Sequence, residues 1–305
     1  MLITGKQHKI MDKRKYVFVG NREYVFRKMI EMGLDIKAVY VMENSFLHHR
    51  LEKLHFIDYS VVSKKKHFLE LLSSVDYDVL VSNGCKYILP IKDMKEALYI
   101  NIHPSHLPDL KGMDPINGAC LFNRTAGAAC HIIDAGIDTG KIISRVSVPM
   151  TDDIDATLLF QLSFKAEVMA FEEAYNRNFR ALEQQPIIEN ALYYTISPAD
   201  MLIDFSKDFE SLVNQSKAFG YKSKGLYFKC DGIVYKCFKV SRVLNPFVIN
   251  LSQERKENEV FISFDNSVLI KHKDGVLRID GIVYEGRTIQ EGQVLENCEI
   301  EDIQL

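Results

Sequence analysis

No stretch of this 305-residue sequence approaches the ~18 consecutive apolar residues of a membrane helix. Its opening, MLITGKQHKIMDKRKY, holds no apolar run of signal-peptide length. Both absences predict a cytoplasmic chain with no membrane partner. Closely spaced cysteines are missing too: Cys85, Cys120, Cys130, Cys230, Cys237 and Cys298 are scattered, and Cys230 and Cys237 stand too far apart for a zinc-site pair. They are expected to be reduced packing residues, with no metal held. Nor is there an excess of positive charge, since 38 Lys and Arg face 41 Asp and Glu and the pI is 6.3. Neutralising phosphates needs a basic face, so a nucleic acid is not expected as the main partner. Finally, VGNREYVF, where a first strand hands over to a helix, lacks the spaced glycines of a dinucleotide fingerprint, which argues against a nicotinamide cofactor.

What the sequence does contain is 47% apolar residues, enough for one large domain or two ordinary ones. Residues 1–14 are polar and read as a loose tail, with Met11 a candidate native start. From Lys15 the text alternates strand and helix: YVFVG, then NREYVFRKMIEMG with Tyr24, Val25, Met29 and Ile30 on one face, then DIKAVYVM, KKKHFLELLSSV, YDVLVSNG and ALYINIHP. This rhythm predicts a Rossmann-like α/β domain over 15–195 with a mostly parallel sheet and ligands beyond the carboxyl ends of its strands. PINGACLFNR predicts a short helix, AACHIID and GKIISRVSVPM a strand pair, and residues 155–182 a long helix. From 196 to 305 one leading helix, SKDFESLVNQSKAF, precedes alternating strands joined by Asp-Gly and Asp-Asn turns, the pattern of a small β-rich domain built as an antiparallel sheet or open barrel.

Three polar residues stand out by position. Asn101 and His103 lie two apart at the end of ALYINIH, so alternation along a strand points both to the same side. Asp138 sits in HIIDAGIDTGKII, where Gly136 and Gly140 bracket a tight loop. Each alone has an ordinary reading, the histidine as a surface or packing residue and the aspartate as a turn residue.

Taken together, Asn101-Ile-His103-Pro-Ser, Leu107-Pro108, Gly112, and His131 ahead of Asp138-Thr-Gly140 resemble the signature of the folate-dependent formyltransferases over roughly residues 15–195. The resemblance implies 10-formyltetrahydrofolate as co-substrate, and Asn101, His103 and Asp138 as the catalytic asparagine, histidine and aspartate. Their chemistry suits the reaction. An amine attacking a formyl carbon creates an oxyanion, which an imidazolium and an amide N–H can bind. A carboxylate can hold the imidazole in its charged form and accept the proton that the amine must lose. The resemblance also places the pterin between SNGCKYILP and IDAGIDTG, held by backbone groups around Cys85, Ile88, Leu89, Asp134, Ala135 and Gly136. His131 matches a family histidine that supports the site, and from its strand position it is equally a buried, hydrogen-bonded residue. The chain departs from many relatives at Ala129, where they carry serine or threonine.

Within the family, the β-rich extension disfavours a glycinamide ribonucleotide enzyme, and the weak acidity counts against methionyl-tRNA. NGCKYILP and HPSHLPDLKGMDPINGACLF resemble the sugar N-formyltransferase branch, which implies a nucleotide-linked amino-dideoxysugar destined for bacterial surface polysaccharide, such as O-antigen, as substrate. Candidate substrate residues are His106 and Lys111-Gly112-Met113-Asp114 beyond the catalytic strand, and Phe219, Tyr221, Lys222 and Lys224 near the domain junction. A lysine beside a glycine can approach a diphosphate, and an aromatic ring can stack on a base. Turns with no ligand, a methionyl-tRNA enzyme, and a module that only binds or hydrolyses the formyl donor stay open as alternatives. So do the sugar, the nucleotide and the oligomer, a homodimer paired through the β-rich domain being one arrangement.

Overall fold

The computed structural model describes residues 12–53, 57–284 and 286–303. Of the tail expected over 1–14, residues 1–11 lie outside the described residues, whereas 12–14 are held in place. The Arg14 guanidinium donates to the Asp12 carboxylate at 2.9 and 2.8 Å and lies over the rings of Tyr16, Tyr175 and Phe179. Burial opposes ionisation of Asp12, but hydrogen bonds from Arg14 and Tyr16 outweigh it and hold the carboxyl at about 2.

In chain order the elements are β1 (Lys15–Gly20), α1 (Glu23–Glu31), β2 (Asp35–Met42), α2 (Phe46–Leu51), β3 (Ser60–Val62), α3 (Lys65–Ser73), β4 (Val79–Asn83), β5 (Leu98–His103), α4 (Pro115–Leu121), β6 (Ala126–Ile132), β7 (Ile142–Val148) and α5 (Ala156–Asn176). There follow α6 (Phe209–Phe219), β8 (Leu226–Cys230), β9 (Ile233–Cys237), β10 (Lys239–Arg242), α7 (Pro246–Leu251), β11 (Val260–Phe264), β12 (Ser267–His272), β13 (Gly275–Asp280) and β14 (Leu295–Glu296). The three-residue β3 makes YDVLVSNG the fourth strand rather than the third. Neither it nor α7 has a sequence pattern long enough to announce itself.

The chain condenses into two compact units that interleave along the sequence. One takes residues up to Pro108, Gly127–Val146 and Phe164–Glu189; the other takes Asp109–Ala126, Ser147–Ser163 and Asn190 onward. A single cut at 195 therefore does not separate them. Leu110, Ile116 and Leu159 belong to the same buried core as Phe205, Phe219 and Leu277, so apolar burial assigns their segments to the second unit.

In the first unit, parallel pairing joins β3, β2, β1, β4 and β5 in that order, and β6 then runs antiparallel to β5. Strands buried on both faces read as continuous apolar runs, as YVFVG does: Tyr16, Val17, Phe18 and Val19 are wholly inaccessible. Each such side chain contributes roughly 1.5–3 kcal/mol of burial. Helix α1 buries Val25, Phe26 and Met29. Ile30, expected on that face, is 44% exposed, because at ~100° per residue it falls past the edge of the stripe. The chain leaves β1 toward β2 and later returns to β4 on the other side of β1. At such a reversal, crevices open at the carboxyl ends of the strands, here at Gly20, Asn83 and His103.

The second unit contains a four-stranded antiparallel sheet in the order β10-β13-β12-β11 and a three-stranded one in the order β14-β8-β9. Asp231-Gly232, Asp265-Asn266 and Asp274-Gly275 close its hairpins, and Asp231 and Asp265 both take the positive φ that such turns require. All six cysteines are unpaired. Burial pushes Cys85, Cys230 and Cys298 up to about 11 and Cys120 up to about 12, as expected of packing thiols.

Candidate active site

Strand β5 carries Asn101 and His103, and antiparallel register sets Asn101 opposite His131 and His103 opposite Ala129 on β6. The loop after β6 returns Asp138 to the same place. The Asn101 Nδ2 lies 3.3 Å from Asp138 Oδ1 and 3.2 Å from His131 Nε2. His103 Nδ1 lies 3.6 Å from Asp138 Oδ2, and His131 Nε2 lies 3.4 Å from Asp138 Oδ1. One carboxylate thus faces an amide and two imidazoles, whose rings cross at 80° with centroids 6.5 Å apart. The side chains of His103, His131 and Asp138 are 6%, 3% and 12% exposed, so these groups meet where water screens electrostatic interactions weakly.

Hydrogen bonding fixes the orientation of the amide and of one imidazole. Ser82, the register partner of Asn101 on β4, donates its hydroxyl to Asn101 Oδ1 at 2.9 Å, which turns Nδ2 toward the carboxylate. His131 Nδ1 is 2.8 Å from the Ile132 carbonyl, which can only accept, so Nδ1 carries the proton and Nε2 is left facing Asn101. Asn83 Nδ2 donates to the Ile102 carbonyl at 3.1 Å and pins the strand between the two site residues. Ala129 packs with Leu107 and Ile142 in a fully buried cluster.

The aspartate loop is shaped by its own residues. Asp138 adopts φ +53°, left-handed backbone that is costly for a side chain with a Cβ. Asp134 Oδ1 accepts from the Gly136 N–H at 3.0 Å and from the Thr139 hydroxyl at 2.6 Å, closing the turn. A Cβ on Gly140 would collide with the Ile132 carbonyl oxygen, so only glycine lets the loop return this close to β6. Of the residues expected to hold a pterin, Leu89 is buried, Ile88 is 60% exposed, and Cys85 Sγ accepts from the Tyr87 N–H at 3.4 Å. His106 is half-buried, and desolvation together with the Arg145 charge holds its imidazole below the usual histidine value.

In the second unit the substrate candidates divide. Asp114 and Lys224 line one cavity of about 350 Å³ together with Ile196, Ser223 and Tyr227. Asp114 Oδ2 accepts from the Ile196 N–H at 3.0 Å, and the Gly112 backbone takes φ +101°. Lys111 lies with its Nζ 5.4 Å over the Tyr193 ring, Met113 is 71% exposed, and Lys222 is exposed. The Tyr221 hydroxyl accepts from Asn117 Nδ2 at 3.0 Å. Phe219, expected to face the substrate, is instead fully inaccessible in the core, because it closes the buried face of α6, and its ring cannot stack on a base. Ser82, Ser223 and Tyr227 escaped sequence reasoning, since nothing local to them signals a site.

A carboxylate beside two imidazoles and an amide, at the carboxyl end of a mostly parallel sheet, defines an acid–base site able to hold an oxyanion and take up a proton. The particular family follows from comparison: the chain belongs to the formyl transferases, whose family profile matches residues 48–174 and whose C-terminal domain profile matches residues 195–297. Methionyl-tRNA formyltransferase of Dehalococcoides mccartyi is 25% identical over 300 residues, covering 91% of this chain and 92% of that one. Among solved structures, WlaRD, a sugar 3N-formyl transferase crystallised with dTDP and 5-N-formyl-THF, superposes with a TM-score of 0.67 at 22% identity, covering 90% of this chain and all of that one. The N-formyltransferase of Helicobacter canadensis, in complex with folinic acid and dTDP-3-aminofucose, gives 0.65 at 20% identity, covering 88% and 100%.

Proposed function

We propose that this protein transfers the formyl group of 10-formyltetrahydrofolate to the amine of a nucleotide-linked amino sugar. The observation that carries the chemistry is the meeting of Asn101, His103 and Asp138 around one carboxylate. The amine attacks the formyl carbon; His103 as imidazolium and the Asn101 amide N–H bind the oxyanion; Asp138 accepts the proton the nitrogen gives up. Collapse of the tetrahedral intermediate breaks the bond to N10 of the folate, the proton held by Asp138 passes to N10, and the products are an N-formyl sugar and tetrahydrofolate. The folate would lie along SNGCKYILP and IDAGIDTG, the latter a loop already closed by Asp134 and Thr139. No residue of the site calls for a metal, since His103 and Asn101 supply the polarising donors.

The nucleotide part of the substrate is assigned to the second unit, where Lys224 and Tyr227 line one cavity and offer a cation for a diphosphate and a ring for a base. Likeness in fold to sugar N-formyltransferases supports this reading. The full-length similarity to a methionyl-tRNA formyltransferase favours a second reading, against which stands the net charge of −3. A panel assay separates them. The protein is incubated with 10-formyltetrahydrofolate and either nucleotide-linked amino sugars or methionyl-tRNA, and products are weighed for a formyl gain. Formylation of methionyl-tRNA and of no sugar rejects the proposal, and release of tetrahydrofolate without any amine favours hydrolysis.

A further inference from the structure

Residues 180–190 run along the surface, and every one of them is exposed except a single glutamine, Gln185. A polar side chain buried alone in an exposed segment has been drawn inward by something. The Gln185 amide nitrogen donates one hydrogen to the Asp138 carbonyl and the other to the Gly140 carbonyl, both at 2.8 Å. Its orientation is determined, because the flipped amide would set Oε1 against two carbonyl oxygens. Oε1 itself has no hydrogen-bond partner among the described residues, so both donors of this amide are used and its acceptor is not.

The segment is brought there by backbone pairing. Leu182 N–H donates to the Ile142 carbonyl at 2.8 Å and Ile142 N–H donates to the Glu183 carbonyl at 3.0 Å, so residues 182–183 lie antiparallel to the start of β7, immediately after the aspartate loop. The two carbonyls that Gln185 grips flank Thr139, on either side of the bend that holds Asp138 at φ +53°. Left-handed backbone at a residue with a Cβ persists where its surroundings over-determine it.

We infer that Gln185 is a positioning residue for the Asp138 carboxylate: by clamping the Asp138 and Gly140 carbonyls it keeps the loop in the one conformation that sets the carboxylate against His103. The inference rests on the catalytic reading of Asp138. A carboxylate displaced by about 1 Å can cost ~10²-fold in rate, so Gln185→Met, which keeps the side chain's length and removes both donors, should lower kcat for formyl transfer by roughly 10- to 100-fold. In Asp138→Asn the further change Gln185→Met should add little, because the group being positioned is already gone.

The direct test needs no acceptor substrate. Imidazole titrations are followed by NMR in the full-length protein, with the His103 signal assigned by its loss in His103→Asn. His103 faces Asp138 and the ring of His131, and a carboxylate nearby favours the charged imidazole. Asp138→Asn should therefore move the His103 midpoint to lower pH, and Gln185→Met should move it in the same direction. If Asp138→Asn shifts the midpoint and Gln185→Met leaves it at the wild-type value, the positioning role is rejected while the catalytic reading stands. If Asp138→Asn itself leaves the midpoint unchanged, the pairing fails and the catalytic reading fails with it. Should the methionine variant not fold, Gln185→Asn, one methylene too short to reach both carbonyls, is titrated instead, and a wild-type midpoint in that folded variant rejects the inference equally.

Discussion

Asn101 Nδ2 and Asp138 Oδ1 stand 3.3 Å apart although 37 residues separate them in the chain. That single distance joins a strand end to a glycine-bracketed loop, and it links the oxyanion donor to the proton acceptor of the proposed reaction. Replacing His103 by Asn should cut kcat by about 10²–10³-fold, the usual cost of one oxyanion donor. Asp138→Asn should cost about 10²–10⁴-fold as a lost general base. Steady-state formyl transfer by each variant, with circular dichroism to verify folding, checks this; near-wild-type turnover in either removes that residue from the mechanism.

Ser82 fixes which end of the Asn101 amide faces the carboxylate. Ser82→Ala leaves Oδ1 without this donor and allows the amide to flip, presenting an oxygen to Asp138. Turnover should fall roughly tenfold, about 1.4 kcal/mol and of the order of one hydrogen bond. Ser82→Thr, which keeps a hydroxyl, should recover most of it. Equal rates in Ala and Thr variants would show that the hydroxyl has no such role.

Lys224 lines the cavity of the second unit beside Tyr227. Lys224→Ala should raise KM for the nucleotide sugar about tenfold, the loss expected for one charge-assisted contact, while kcat stays within about twofold because no bond is made there. Titration with the free nucleoside diphosphate by calorimetry gives the same comparison without the sugar. Unaltered affinity would move the diphosphate elsewhere.

Glu167 is wholly buried at 3.0 Å from Arg22. Burial pushes its carboxyl above the ordinary value of 4.5, against the opposing pull of the Arg22 charge. The folded state therefore keeps this proton where the unfolded chain has lost it, so stability falls as pH rises from 4.5 toward the folded value. Glu167→Gln, which cannot titrate, should lose this slope. Its Tm relative to the native protein should rise between pH 5 and pH 8; a constant difference across that range would show that Glu167 does not carry the proton.

Much of the secondary structure was legible because its signals are local. A continuous apolar run such as Tyr16–Val19 marks a doubly buried strand, and Asp-Gly pairs such as Asp231-Gly232 mark hairpins. Which core each segment joins was less legible. The text changes character near 195, yet residues 109–126 and 147–163 join the later core, because what assigns a helix to a core is which apolar face its stripe meets, and that is a long-range property. Phe219 shows the same gap, since an aromatic residue in a polar stretch reads as exposed until the burial of α6 is known.

The sequence by itself determined that Asn101 and His103 share one side of a strand, because alternation is built into extended backbone, and that the Asp138 loop must be tight, because Gly136 and Gly140 bracket it. Only the tertiary structure decided what these residues mean to one another. Strand register brought Ser82 to Asn101 across 19 residues and His131 to Asn101 across 30, and the antiparallel run beside Ile142 brought Gln185 to the Asp138 carbonyl across 47. Hydrogen bonds of this kind carry no periodicity along the chain, so the groups that orient a site appear only when the backbone around it has closed.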